Sequence, residues 1–185
     1  MRTSTGSCLL AASTVFLLTA CDAEPVPIPP PPPTPGVSSG PECLTSGVAL
    51  TAGQVEAASG LRAMRVTMVN CGKMPYAVNG HPALRVLDAD RKPLTLTIAE
   101  GTSNISRIDG FDDAPQPGTL APGGEATAVL VWRNTVTDSS VPATTGVHIE
   151  VAPAAGQPTQ LLTPQAGVDL GTTGTIATSP WVVAS

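Results

Sequence analysis

The sequence predicts an all-β domain, preceded by a disordered Pro-rich linker, and three observations carry that prediction. From Cys43 onward, short segments of alternating apolar and polar residues are broken by Gly, Pro, Asn and Asp, the pattern of half-buried strands joined by turns. No long stretch keeps a helical period. Ahead of Cys43, residues 22–42 hold nine Pro, three acidic residues and no basic ones. Such a run cannot build a core, because proline fixes φ and offers no N–H. About seven or eight strands with turn signals between them point to an immunoglobulin-like β-sandwich over residues 43–185.

Residues 1–20 read as a lipoprotein signal peptide. Arg2 and the amino terminus supply a small positive region. The apolar stretch "CLLAASTVFLLTA" that follows falls short of the roughly 20 apolar residues that span a bilayer. It ends in Leu18, Thr19, Ala20 and Cys21, which resembles the bacterial lipobox, where a Leu, two small residues and a Cys direct lipid attachment to the sulfur and cleavage before it. The expectation is a diacylglyceryl group on Cys21, since two acyl chains suffice for stable anchoring where one does not. The protein would then sit outside the cytoplasm, held to the outer face of the cell membrane. The competing reading is an ordinary secretory peptide cut nearby, against which the boundary cysteine argues.

Residues 21–42 form the lipidated cysteine and its linker. Pro29 to Pro33 run unbroken, followed by Thr34 and Pro35. This favours polyproline II at about 3.1 Å per residue and a reach of at most roughly 65 Å. Stand-off from the membrane is the simplest use, and a docking segment for a proline-recognising partner is the alternative.

Charge narrows the partners. The chain carries 9 basic and 14 acidic residues, and loss of residues 1–20 removes only Arg2, taking the net charge from −5 to −6. Nucleic acid is therefore not expected, because binding it requires clustered Lys and Arg.

Of the four cysteines, Cys8 leaves with the leader and Cys21 is taken by lipid, so Cys43 and Cys71 remain. Two cysteines in an exported domain suggest one disulfide, a closure that contributes roughly 3 to 4 kcal/mol in the chain-entropy model. A two-thiol metal or redox site would ordinarily use a C-x-x-C spacing, which this pair lacks.

Within the domain, "RAMRVTMVN" places Met64, Val66 and Met68 on one face and Arg65, Thr67 and Val69 on the other. Similar strands are "ALRVLD", "LTLTI", "ATAVLVW", "GVHIEV", "TQLL" and "GTIAT". The "VEAASGL" stretch, residues 55–61, has room for one helical turn, limited by Gly60. Asn79 and Gly80 form a turn dipeptide between two strands, and "APGGE", residues 121–125, supplies the turn before another. Neither has the Lys and following helix of a phosphate loop. Trp132 is expected in the core, with ligand stacking by Trp132 or Trp181 as the alternative.

Taken in order, several of these pieces resemble a family of secreted actinobacterial proteins, often lipoproteins, that share an uncharacterised immunoglobulin-like sandwich (domain of unknown function 4232). The pieces are Cys43, "VTMVNCGKMPYAVNGHPALRVLD", "LAPGGEATAVLVW" and a closing "SPWVV". Two positions depart from the family pattern. Tyr76 stands where a Cys is common, with Cys71 earlier, and His81 stands where an aromatic is common, so the pairing of Cys43 stays open. The resemblance implies fold and location and supplies no reaction.

Chemistry is sparse. A nucleophilic triad needs a histidine base, for which only His81 and His148 are available, and no G-x-S-x-G elbow is present. The expectation is therefore a protein that is not an enzyme and holds no cofactor. Copper carriage is the alternative, with Met64, Met68, Met74 and His81 as soft-metal candidates. Core packing of Met64 and Met68 competes with it, so no metal site is assigned. The acidic loop "DGFDD", Asp109 to Asp113, offers three carboxylates without EF-hand spacing, and it reads as a solvated loop before it reads as a calcium site. The functional expectation is a lipid-anchored envelope protein whose sandwich binds a protein or cell-wall partner, or serves a structural role, with the ligand unknown.

Overall fold

The computed structural model describes residues 41–102 and 105–184. The leader, Cys21 and the linker as far as residue 40 lie outside the described residues. Among the described residues every regular element is a strand, and there are thirteen.

The chain opens with a long hairpin. β1 (Val48–Ala58) pairs antiparallel with β2 (Leu61–Asn70), from Ala58 opposite Leu61 to Val48 opposite Asn70. The two residues between them, Ser59 and Gly60, both have positive φ, 46° and 78°. That is the two-residue turn whose twist matches a hairpin, and glycine takes it without steric cost. Residues 55–61, where the sequence leaves room for one helical turn, form none: Gly60 ends a strand by turning it. β1 also slips register between Ala52 and Val55, a bulge at the outer edge of the sheet.

β2 pairs along its other side with β7 (Glu125–Arg133). β7 then pairs with β12 (Thr175–Thr178), which runs parallel to β5 (Thr97–Glu100). The main path of this sheet is β1-β2-β7-β12-β5. β13 (Val182–Val183) continues the line of β12 along β7. The break between them is Ser179-Pro180. Proline has no N–H to give the ladder, and Ser179 bridges the gap: its N–H donates to Val129 O and its hydroxyl accepts the Val129 N–H, both at 2.9 Å.

The facing layer is made of shorter pieces. β4 (Ala83–Leu87), β9 (His148–Ala152) and β10 (Gln160–Leu162) form a three-stranded sheet in the order β10-β9-β4. β3 (Tyr76–Val78) pairs with β6 (Gly118–Leu120), and β8 (Thr144–Gly146) with β11 (Val168–Gly171). The seven segments read as strands fall on β2, β4, β5, β7, β9, β10 and β12, whereas β1, the longest strand, is not among them. The others missed are strands of two to four residues, β3, β6, β8, β11 and β13, too short for alternation to register.

Register explains the core. Leu50, Met68 and Ala126 lie in one row across the large sheet, Met64 and Leu130 in another, and Trp132 and Ile176 in a third. All are buried against Val86, Ile149, Val151, Val168 and Leu170 of the facing layer. Alanines at 126 and 128 beside methionines at 64 and 68 let large and small side chains interdigitate, as dense packing requires.

The outer face of the same sheet is covered as well. Val131 and Ala177 point away from the main core and pack under Ile105 and Phe111 from the β5–β6 connection. The acidic loop therefore has two characters. Asp109, Asp112 and Asp113 are exposed, as expected, while Phe111 between them is only 3% exposed. Arg133 fastens the same connection by donating from Nε to Ile105 O at 2.7 Å.

Candidate functional site

The residues that the sequence singles out are distributed through the fold, and most of them have structural partners. Cys43 and Cys71 are bonded, with Cα atoms 6.0 Å apart. Their bond ties the segment entering the domain to the end of β2, beside the Gly72 N–H to Gly47 O hydrogen bond of 2.9 Å. Both cysteines are exposed. A groove of about 460 Å³ runs alongside, between Glu42–Thr45 and Pro158–Leu161. There Gln160 reaches from β10 to accept the Leu50 N–H at 2.8 Å, which fastens the edge of β1 to the facing layer.

Asn70 explains why two distant motifs belong together. It is 1% exposed, and its amide nitrogen donates to Met74 O at 2.9 Å and to Leu120 O at 2.8 Å, while Oδ1 accepts the Gly72 N–H at 3.0 Å. Its main chain bonds Gly123 and Gly124. One side chain thus staples "NCGKMPY" to "LAPGG". Sequence reasoning missed this role, and the available signal was an Asn at a strand end, where such residues bond nearby backbone.

Trp132 is fully buried, as expected, and Trp181 is 3% exposed. Both indoles therefore fill the interior. Trp181 donates from Nε1 to Pro153 O at 2.8 Å and from its backbone N–H to Gly80 O at 2.9 Å. The "SPW" segment is in this way joined to the Asn79-Gly80 turn, which sits between β3 and β4 as predicted.

The most elaborate polar cluster, unforeseen in the sequence, surrounds Asp169 on β11. Arg62 of β2 donates to it from Nε and Nη2, the latter at 2.9 Å. Trp132 Nε1 donates to Asp169 Oδ1 at 3.2 Å and to its carbonyl at 3.1 Å, and Asn134 Nδ2 donates to Oδ2. Burial pushes the Asp169 carboxyl up, yet the hydrogen bonds from Asn134, Arg62 and Trp132, with the Arg62 charge, outweigh it and hold the group below the usual carboxylate range. The Arg62 and Asp169 side chains are 19% and 33% exposed. The cluster joins β2, the end of β7 and Asn134 to β11 at one end of the sandwich.

The candidate bases are apart from one another in the fold. His148 shares a 2.8 Å hydrogen bond with Thr163 on the outer face of the three-stranded sheet. His81 is 3.7 Å from Glu100 at the edge of the large sheet. Met64 and Met68 are 1% and 0% exposed in the core, whereas Met74 is 75% exposed. Among the described residues no three or more His, Cys, Asp and Glu side chains gather as metal ligands would. Asp112 accepts the Thr102 hydroxyl and N–H, which hold its carboxyl low, so this member of the acidic loop fastens the loop to the strand that precedes it.

The model of one family, described as Domain of unknown function (DUF4232), matches residues 43–182. No curated protein and no solved structure matches the chain. The matched span begins at the bonded Cys43, takes in the Asn70 staple and the Asp169 cluster, and ends on the first residue of β13. The match covers most of the chain and the whole of its main core, so the chain belongs to the DUF4232 family.

Proposed function

We propose that this chain is a lipid-anchored protein of the cell envelope, held through Cys21, whose sandwich domain serves as a non-enzymatic binding or structural module. The observation that carries the reading is one of order along the chain. A short apolar leader ends in Leu18-Thr19-Ala20-Cys21, a Pro-rich linker follows at once, and the folded domain begins at Cys43. The disulfide is compatible with a compartment outside the reducing cytoplasm. The use of both tryptophans in the interior supports a structural reading of the aromatics.

Copper carriage gains no support from Met64 and Met68, whose thioethers are packed among Val66, Leu50 and Leu130. The test of the anchor is Cys21→Ser expressed in a lipoprotein-processing bacterial host. The variant is expected to leave the membrane fraction or to retain its leader. Unchanged membrane fractionation together with unchanged mass would overturn the proposal.

A further inference from the structure

The Asn79-Gly80 turn points to a covalent modification site. We propose that Asn79 is a site of spontaneous succinimide formation, which converts it to aspartyl and isoaspartyl forms in the folded protein. Asn79 is exposed, and its own Oδ1 accepts the Gly80 N–H at 2.9 Å. The side-chain amide is therefore folded back over the next peptide, with its carbonyl carbon beside the Gly80 nitrogen that must attack it. Gly80 has φ +82°, and a Cβ placed there would meet no atom within 4 Å. The Cα next to the attacking nitrogen carries no side chain, and no neighbour crowds the space where one would stand.

The step balances without any oxidant or reductant. Hydroxide removes the Gly80 amide proton, the nitrogen attacks Asn79 Cγ, the Cγ–Nδ2 bond breaks, and Nδ2 leaves as ammonia after taking a proton from water. Water then opens the five-membered imide at either carbonyl. One opening gives the aspartyl form, and the other gives the isoaspartyl form, with the main chain rerouted through the side chain.

The position makes the change consequential. Gly80 O accepts the Trp181 N–H at 2.9 Å, and His81, the next residue, lies 3.7 Å from Glu100. An extra methylene in the main chain displaces that carbonyl from the closing "SPW" segment, and the new carboxylate adds a negative charge near the Glu100 and His81 pair. Asn70 and Asn134 are followed by Cys71 and Thr135, and Asn70 is buried, so they serve as internal controls.

The experiment is ageing of the purified full chain in mildly alkaline buffer, read by charge separation, peptide mapping and isoaspartyl-specific methyl transfer to the resulting peptides. The expected result is an acidic species that accumulates with time, maps to Asn79 and contains isoaspartate. Gly80→Ala should slow it by roughly tenfold or more, because a Cβ hinders ring closure. Asn79→Gln, which does not depend on Gly80 adopting a new backbone conformation, should stay homogeneous at this position. The proposal is overturned if Asn79 remains intact while a synthetic peptide of the same sequence deamidates, or if Asn134 reacts as fast as Asn79.

Discussion

Replacing Asp169 with Ala or Asn tests whether the cluster at the end of the sandwich holds the two layers together. The carboxylate receives hydrogen bonds from Arg62, Trp132 and Asn134, which lie 107, 37 and 35 residues away in sequence. A hydrogen bond involving a charged group is worth about 1.5 to 3 kcal/mol, and a neutral one about 1. Trp132 keeps its bond to the Asp169 carbonyl in either variant, so its loss is small. The ion pair is partly exposed, at 19% and 33%, which lowers its worth toward that of a surface pair. Together these give an expected loss of about 2 to 3 kcal/mol for Asp169→Ala. Asp169→Asn should cost nearly as much despite its shape, because all three partners are donors and an amide turns one acceptor into a further donor. The assay is urea unfolding under non-reducing conditions, where the midpoint should fall with the slope unchanged.

The same residue fixes a pH signature. Its folded carboxyl titrates below the ordinary value of 3.8, so its stabilisation is complete above that value and is lost as pH falls through the lower folded value. The gap between wild type and Asp169→Asn should therefore narrow with acidification below about pH 4. A loss under about 0.5 kcal/mol at neutral pH, the range of an ordinary surface change, or a gap independent of pH, would refute the reasoning.

Three further outcomes follow from the same structure. Cys43→Ser with Cys71→Ser opens a loop of 28 residues and should cost about 3.5 kcal/mol in the chain-entropy model, checked by urea unfolding with and without reductant. Asn70→Ala removes the donor from the carbonyls of Met74 and Leu120, while the Gly72 N–H keeps Gly47 O, for an expected loss of about 2 to 4 kcal/mol in thermal or chemical unfolding. Asn70→Asp should be no better, since a carboxylate cannot donate to those carbonyls. Phe111→Ala uncovers Val131 and Ala177 on the outer face; about 3 kcal/mol of stability should be lost, with faster amide exchange along β12, and an unchanged exchange pattern would mean that the loop is not a cover.

Much of the fold was legible because strands with one buried face announce it. Met64, Val66 and Met68 alternate with Arg65 and Thr67, and all three prove to face the core. The Asn79-Gly80 and Ala121–Glu125 turns carry their own chemistry and fall where they were placed. β1 was not read as a strand, and its end was given room for a helical turn, because Ala57 and Ala58 favour helix locally, while tertiary pairing with β2 decides the matter. The second apolar layer was invisible for a different reason. Ile105, Ile108 and Phe111 lie in an irregular connection with no period to detect, and their partner Val131 sits on a strand read as having one buried face.

The clusters at Asn70 and Asp169 were hidden by sequence distance. Nothing local to Asp169 indicates that Arg62 will meet it, since the contact exists only once β2, β7 and β11 are in place. A buried polar group, however, must find partners, and these two residues find theirs by joining strands from opposite layers or distant turns. They were missed as sites because they act on the protein itself.

The most direct test of the lipid-anchor proposal is the mass of the intact protein extracted from membranes of its native host. The account predicts a chain that begins at Cys21 and carries a diacylglyceryl group on its sulfur, partitioning into detergent. A chain beginning at any other residue, or an unmodified cysteine at that position, would contradict it.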